Sequence, residues 1–244
     1  GRPPVWKAER MSILRTLSIA VATTVAAVSL SACTGSEDGE GDNTAPEDVL
    51  AEAKQRLDET PGVRISLSTT DLPSGVQGVA GAEGVGTHAP AFDGTITIIF
   101  AGTNVQVPVI AVDGRVYAQI PLVPGWSDVD PTEYGAPDPA GLMDPETGLS
   151  SLLTGTEDVV EGESVRGGSG NREVLTEYTG TVPGEVVSNV IPSASGDFDA
   201  AYTVTDEGEL RAAVLTGVFY PDSEPMTYTV GFEDYGTEQE ITAP

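Results

Sequence analysis

The sequence is poor in the residues on which most enzyme chemistry depends. It holds one cysteine and one histidine in 244 residues. A single cysteine excludes an intrachain disulfide framework and a cysteine-rich metal site. A single histidine, His88, removes the usual general base and the commonest metal ligand from most catalytic schemes. Basic residues are scarce as well: 11 Lys and Arg face 38 Asp and Glu, a formal net charge of −27. Binding a phosphate backbone takes clustered Lys and Arg, so a nucleic-acid partner is excluded. Aromatics are 6% and hydrophobic residues 39%, too apolar for a disordered chain, while 29 Gly and 18 Pro argue against a long helical bundle. Catalytic motifs are missing too. Gly167-Gly168-Ser169-Gly170-Asn171 breaks the G-x-S-x-G pattern at its last position, and no S-x-x-K, H-E-x-x-H or P-loop occurs. Asp128-Val129-Asp130 lacks the glycine and distal glutamate of a calcium loop. Carboxylates are so frequent that no pair stands out as an acid–base dyad. The expectation is a chain that is not an enzyme and needs no metal or cofactor, with His88 a solvent-facing loop residue.

What is present begins at Met11. Arg15, with Lys7 and Arg10 upstream, leads into an uncharged run from Thr16 to Ala32. Seventeen helical residues reach about 26 Å, short of the ~20 residues that span a bilayer, so the run reads as an export signal and not as a retained anchor. It ends in Leu30-Ser31-Ala32-Cys33, the pattern of a bacterial lipobox, with the sole cysteine at the position that is acylated. Two acyl chains, at about 0.8 kcal/mol per buried methylene, hold a protein on a membrane where one does not. Residues 1–10 accordingly read as upstream sequence from a misplaced start, and 11–32 as a lipoprotein signal peptide. Residues 33–44 read as a flexible tether made acidic by Glu37, Asp38, Glu40 and Asp42. The expected location is the cell envelope, on the outer face of the plasma membrane, held by lipidated Cys33. Removal of 1–32 takes away Arg2, Lys7, Arg10 and Arg15 against Glu9 alone, and the more acidic remainder is repelled by an anionic leaflet.

Residues 45–244 read as one domain. Thr44 is placed to cap a first helix, with Pro46 in its first turn, Glu47 and Asp48 at its positive end, and Val49, Leu50, Ala53 and Leu57 on one face. After Pro61-Gly62 the period turns to two, as Val63, Ile65 and Leu67 alternate with polar residues. Residues 71–91 read as a long low-complexity loop. Ile96, Ile98 and Phe100 share a strand face, as do Val105, Val107 and Val109. Asp113-Gly114 is a two-residue hairpin signal leading to Val116 and Ala118. Asp144-Pro145-Glu146 opens a second helical stretch that runs to Leu153 and carries Leu149 and Leu152. Strands over 159–165 and 174–182 follow, then a short helix from Pro183-Gly184-Glu185 with Val186, Val187, Val190 and Ile191 on one side. Three meander strands, 198–205, 210–220 and 226–234, close the chain. Nine or ten antiparallel strands with a few short helices and no β-α-β alternation give an α+β fold, one large curved antiparallel sheet with helices on one face.

The order of these elements resembles the LprG/LppX family (LppX, LprA, LprF, LprG) of mycobacterial and related actinobacterial cell-envelope lipoproteins. The residues that carry the likeness are Val112-Asp113-Gly114 followed by Tyr117, Asp144-Pro145 with Gly148-Leu149 and Leu152-Leu153, and Phe232, Tyr235-Gly236 and Ala243-Pro244 at the end. The likeness covers about 200 residues, and its specificity lies in the colinear order. It implies a half-barrel, a single bent sheet whose concave face is covered by helices around a hydrophobic cavity. It further implies binding and transport of acylated glycolipids or acylglycerols, in some members beside an efflux-type membrane transporter.

The residues support a cavity independently. Val, Ala and Thr dominate the apolar strand positions, which leaves the core short of volume, and an under-packed interior loses dispersion contacts unless a ligand fills it. The expected lining is Ile96, Ile98, Phe100, Val107, Val109, Val116 and Ala118 from the sheet. Leu149, Leu152, Leu153, Val186, Val187 and Val190 are expected from the covering helices. The alternative is a structural or partner-binding surface lipoprotein with a solid core, which calls for no connected apolar void above about 300 Å³.

Overall fold

Pro46–Glu59 form the first helix, α1. Proline at the first helical position has the φ the helix needs, and Glu47 and Asp48 lie against the positive end of its dipole. The capping residue is Ala45 and not Thr44, and it makes no side-chain cap bond. Proline has already removed one unpaired donor, and the Ala45 carbonyl takes the N–H of Asp48 at 2.9 Å and of Val49 at 3.2 Å. Leu50, Ala53 and Leu57 are buried along one stripe. These observations come from a computed structural model that describes residues 44–244 except 74, 77, 101, 135 and 169. The expected upstream extension, the expected signal peptide with Leu30, Ser31 and Ala32, the expected acylation site Cys33 and the expected tether up to residue 43 lie outside the described residues.

Eleven strands, not nine or ten, build one antiparallel sheet. They are β1 (Gly62–Ser68), β2 (Val79–Thr87), β3 (Ala91–Phe100), β4 (Thr103–Val112), β5 (Arg115–Ala118) and β6 (Ser127–Val129) in the first half. The second half has β7 (Glu157–Gly167), β8 (Glu173–Val182), β9 (Ser195–Thr205), β10 (Leu210–Val218) and β11 (Met226–Glu233). The order across the sheet is β6-β5-β4-β3-β2-β1-β11-β10-β9-β8-β7. Two meanders are thus stitched together by the pairing of the first strand with the last, with Ile65 opposite Phe232. Antiparallel alternation sends the β1–β2, β3–β4, β5–β6 and β10–β11 connections to one end of the sheet and the β2–β3, β4–β5 and β9–β10 turns to the other. At that second end Asp113 and Gly114 have φ of 54° and 69°, as a two-residue hairpin of this type requires. Edge strand β7 is blunted by Glu157, Asp158, Glu161 and Glu163 and by two register breaks against β8.

Three further expectations give way. Strand β2 lies inside the stretch that reads as a loop. Its glycines weaken the local strand signal, yet they are placed where side chains would not fit. A Cβ on Gly84 would stand 2.5 Å from the Phe92 ring and 2.6 Å from the Asp93 carbonyl oxygen, and one on Gly86 would stand 2.8 Å from Met143. The stretch from Asp144 to Leu153 is not one helix. Asp144 Oδ1 accepts the N–H groups of Glu146 at 2.9 Å and Thr147 at 2.8 Å, a local turn that competes with helix, and only Ser151–Thr154 form α2. A 3₁₀ turn at Pro139–Met143 precedes it. His88 is half-buried, and its ring nitrogen bonds the Leu57 carbonyl at 2.9 Å at the end of α1.

The apolar strand residues fall on one face, under α1, α2 and α3 (Gly184–Val190). The main core joins Leu50, Leu57, Phe198, Tyr202, Leu210 and Phe232, all exposed by no more than 1%. Each such side chain contributes about 1.5–3 kcal/mol through burial. A second cluster, Phe92, Val107, Val109, Ala111, Val116 and Ala118, lies under Ala140 on the β3–β5 side. Among the described residues both clusters draw only on positions between 49 and 235, and residues 44–244 lie within one compact unit with its own core.

Candidate binding cavity

Between the two clusters the concave face is not filled. A cavity of about 120 Å³ remains there. Its floor is the middle of the sheet: Ile65 and Leu67 of β1, Ala82 of β2, Ile96 of β3, Leu215 of β10 and Val230 of β11. Register places Ala82 directly opposite Leu67 on one side and Ile96 on the other, so the smallest side chain of that row makes the gap. The roof is formed by Ala136, Pro137, Pro139 and Leu142 of the β6–α2 connection, with Leu149 and Leu152 behind them. Pro139 opens the short 3₁₀ turn that carries Leu142, and such a turn presents few side chains downward compared with a regular helix. Val187, Val190 and Ile191 of α3 close one side.

Among the described residues no carboxylate or basic group lines the cavity, and its tyrosine hydroxyls are satisfied internally. At one end the Val79 N–H donates to the Tyr220 hydroxyl at 3.2 Å. Tyr220 donates to Tyr228 at 2.8 Å, and Tyr228 returns the bond to the Val79 carbonyl. This closed ring leaves neither hydroxyl free to face an apolar guest. Burial, reinforced by the Tyr220 hydroxyl, pushes the ionisation of Tyr228 well above the ordinary phenol range. Phe198, Phe219 and Tyr228 stack edge to face with ring centres 4.8 Å apart, and Gly217 leaves room for the Phe198 ring. Beneath α2, Tyr202 and Thr156 share a hydrogen bond of 2.9 Å, and both reach the Leu152 carbonyl. Burial pushes the Tyr202 phenol up to about 12. Among the described residues no group of three or more His, Cys, Asp or Glu could hold a metal ion.

Of the residues expected to line a ligand site, Ile96, Leu149, Leu152, Val187 and Val190 border this cavity. Ile98, Val107, Val109, Val116 and Ala118 share their sheet face, as pairs Ile96–Val107 and Val109–Ala118 show. They belong to the second cluster, beside the void and not around it. Leu153 is buried in the main core, and Val186 packs on that core against Gly155. The side chain of Phe100 lies outside the described residues. Unforeseen are the floor residues of β1, β10 and β11, although their period-two alternation is plain, and the roof prolines, whose spacing gives no such sign.

The model of the LppX_LprAFG lipoprotein family matches residues 45–243. The lipoarabinomannan carrier protein LprG of Mycobacterium tuberculosis (strain ATCC 25618 / H37Rv) is 24% identical over 216 residues, covering 87% of this chain and 86% of its own. The crystal structure of LprF from Mycobacterium bovis superposes with a TM-score of 0.66 at 13% identity, over 82% of this chain and 96% of that one. That of Mycobacterium tuberculosis LppX gives 0.59 at 14% identity, over 82% of this chain and all of its own. These structures share the single open antiparallel sheet with few helices, the half-barrel of the α+β class. On the match across residues 45–243, this chain belongs to the LppX/LprAFG lipoprotein family.

Proposed function

We propose that this protein is a lipid-anchored lipoprotein of the cell envelope that carries the acyl chains of glycolipids or acylglycerols in the cavity beneath its helical cover. The observation that carries the reading is the apolar void at the centre of the concave face, floored by Ala82 and roofed by proline turns. The name of LprG as a lipoarabinomannan carrier supports it. The mechanism is partition, at about 0.8 kcal/mol per methylene moved from water into the cavity. Cys33, preceded by Leu30-Ser31-Ala32, is the proposed site of acylation. The tether then gives the body reach and freedom to turn at the membrane's outer face, and an efflux-type membrane transporter is the proposed neighbour.

The volume sets a condition. About 120 Å³ is less than the roughly 300–1,000 Å³ of small-molecule sites, so the roof between β6 and α2 must lift before a chain enters. The same small volume favours the second reading, a partner-binding lipoprotein with a nearly solid core. Native mass spectrometry of residues 44–244 purified from a lipid-rich actinobacterial host decides between them. A bound acyl lipid is expected, and a clean unliganded mass in repeated preparations would overturn the carrier reading.

A further inference from the structure

The turn between β5 and β6 breaks two rules of a water-exposed surface at once. Val123 N–H donates to the Ile120 carbonyl at 3.1 Å, closing a tight turn. Pro121 stands at its second position and Leu122 at its third with φ of 69°, a pattern that asks for glycine or asparagine there. Leucine in the left-handed region is strained by its own Cβ. It is also 98% exposed, and Val123 is 48% exposed. Ile120 packs on the second cluster, so the turn is anchored at its base and holds Leu122 outward. Strain that keeps an apolar side chain in water points to a surface that meets something apolar.

Charge identifies the partner. From Gly94 to Ser127 the sequence carries only Asp113 and Arg115, in a chain with 38 acidic residues. Asp113 sits in the β4–β5 turn and Arg115 opens the four-residue β5, at the other end of that strand from Leu122. The β5–β6 connection, from Gln119 to Trp126, is therefore an uncharged corner on a strongly acidic protein, with Asp128 on β6 the first charge beyond it. A basic protein partner would select the carboxylate-rich faces instead. An uncharged tip bearing Leu122 and Val123, with Trp126 four positions on, suits the boundary between lipid headgroups and acyl chains.

We infer that this corner docks on the surface of a lipid bilayer, with Leu122 and Val123 entering the acyl boundary. The inference rests on the carrier reading for its purpose: Ile120 at the base of this corner packs on the same cluster as Ile98 and Ile96, and Ile96 reaches the cavity floor, an apolar path for a chain leaving the membrane.

Trp126 is the sole tryptophan of residues 44–244 and reports the docking directly. Residues 44–244, which carry no anchor, are mixed with phosphatidylcholine vesicles whose acyl chains are brominated. Quenching of Trp126 is expected, with vesicle affinity about tenfold or more lower in Leu122→Asp. Leu122→Gly separates docking from folding: it relieves the turn, so it should melt above the wild type while its vesicle affinity falls about tenfold. Unchanged quenching in both variants overturns the inference. So does an absence of quenching in the wild type, which leaves the tip to a protein partner. Bound lipid in the mass spectrum without Trp126 quenching removes the docking surface and keeps the carrier, and quenching without bound lipid does the reverse.

Discussion

Asp144 shows how one side chain redirects a segment. Its carboxylate accepts two backbone N–H bonds and the Thr147 hydroxyl at 2.9 Å, and these bonds hold it below its ordinary value of 3.8. A depressed carboxylate stabilises the fold above that value and loses the contribution as the pH falls through its folded-state value. Asp144→Ala should lower the melting temperature by about 2–4 °C near neutral pH, and thermal melts should show the gap closing as the pH drops below 3.8. The phenols act in the opposite direction. Tyr178, Tyr202, Tyr228 and Tyr235 are all raised, with burial the first cause in each. A raised group stabilises below its ordinary value of 10 and loses that contribution above it, so stability should fall as the pH climbs past 10. Phenolate absorbance of these four should rise together with loss of the folded circular dichroism. Ionisation well ahead of unfolding would contradict their placement in the interior.

Strands are where sequence and structure agree best, and β2 is where they part. Wherever Val, Ile or Leu alternates with polar residues, as in Val63–Leu67 or Ile96–Ile98, the strand and its inward face are legible, because period two has one structural meaning. β2 offers Gly81, Gly84 and Gly86 instead, and nothing local separates such a strand from a loop. Its conformation is imposed by pairing with β1 on one side and β3 on the other. The glycines remain necessary: Gly84→Ala should overpack Phe92 and the backbone of β3 and cost about 1–3 kcal/mol in denaturant unfolding. An unchanged midpoint would mean that the strand shifts to accommodate the methyl. Helix α1 is fastened differently, by a stripe of fully buried side chains. Leu57→Ala should cost about 2–5 kcal/mol by the same measurement, since no neighbour in a sheet-backed core can move to fill the space.

At the scale of the whole molecule, the pairing of β1 with β11 joins two meanders into one sheet, and the cavity lies along that seam. A sheet with helices on one face was legible from strand count and turn spacing. The position of the void was not, since it depends on which small residue meets which roof element across distant sequence. Ala82 and Pro137 are 55 positions apart and share the cavity only because the β6–α2 connection folds back over β2 and β3. For the same reason Val109 and Ala118 share the phase of Ile96 yet pack into the neighbouring cluster. An acyl chain that resides in the void beneath the roof must be displaced when the void is filled. This is tested most directly by measuring lipid occupancy in Ala82→Trp beside the wild type, by native mass spectrometry on matched preparations of residues 44–244. The wild type should carry bound lipid, and the variant should be largely empty while melting close to the wild type. Equal occupancy in the two, or an empty wild type, would contradict that placement.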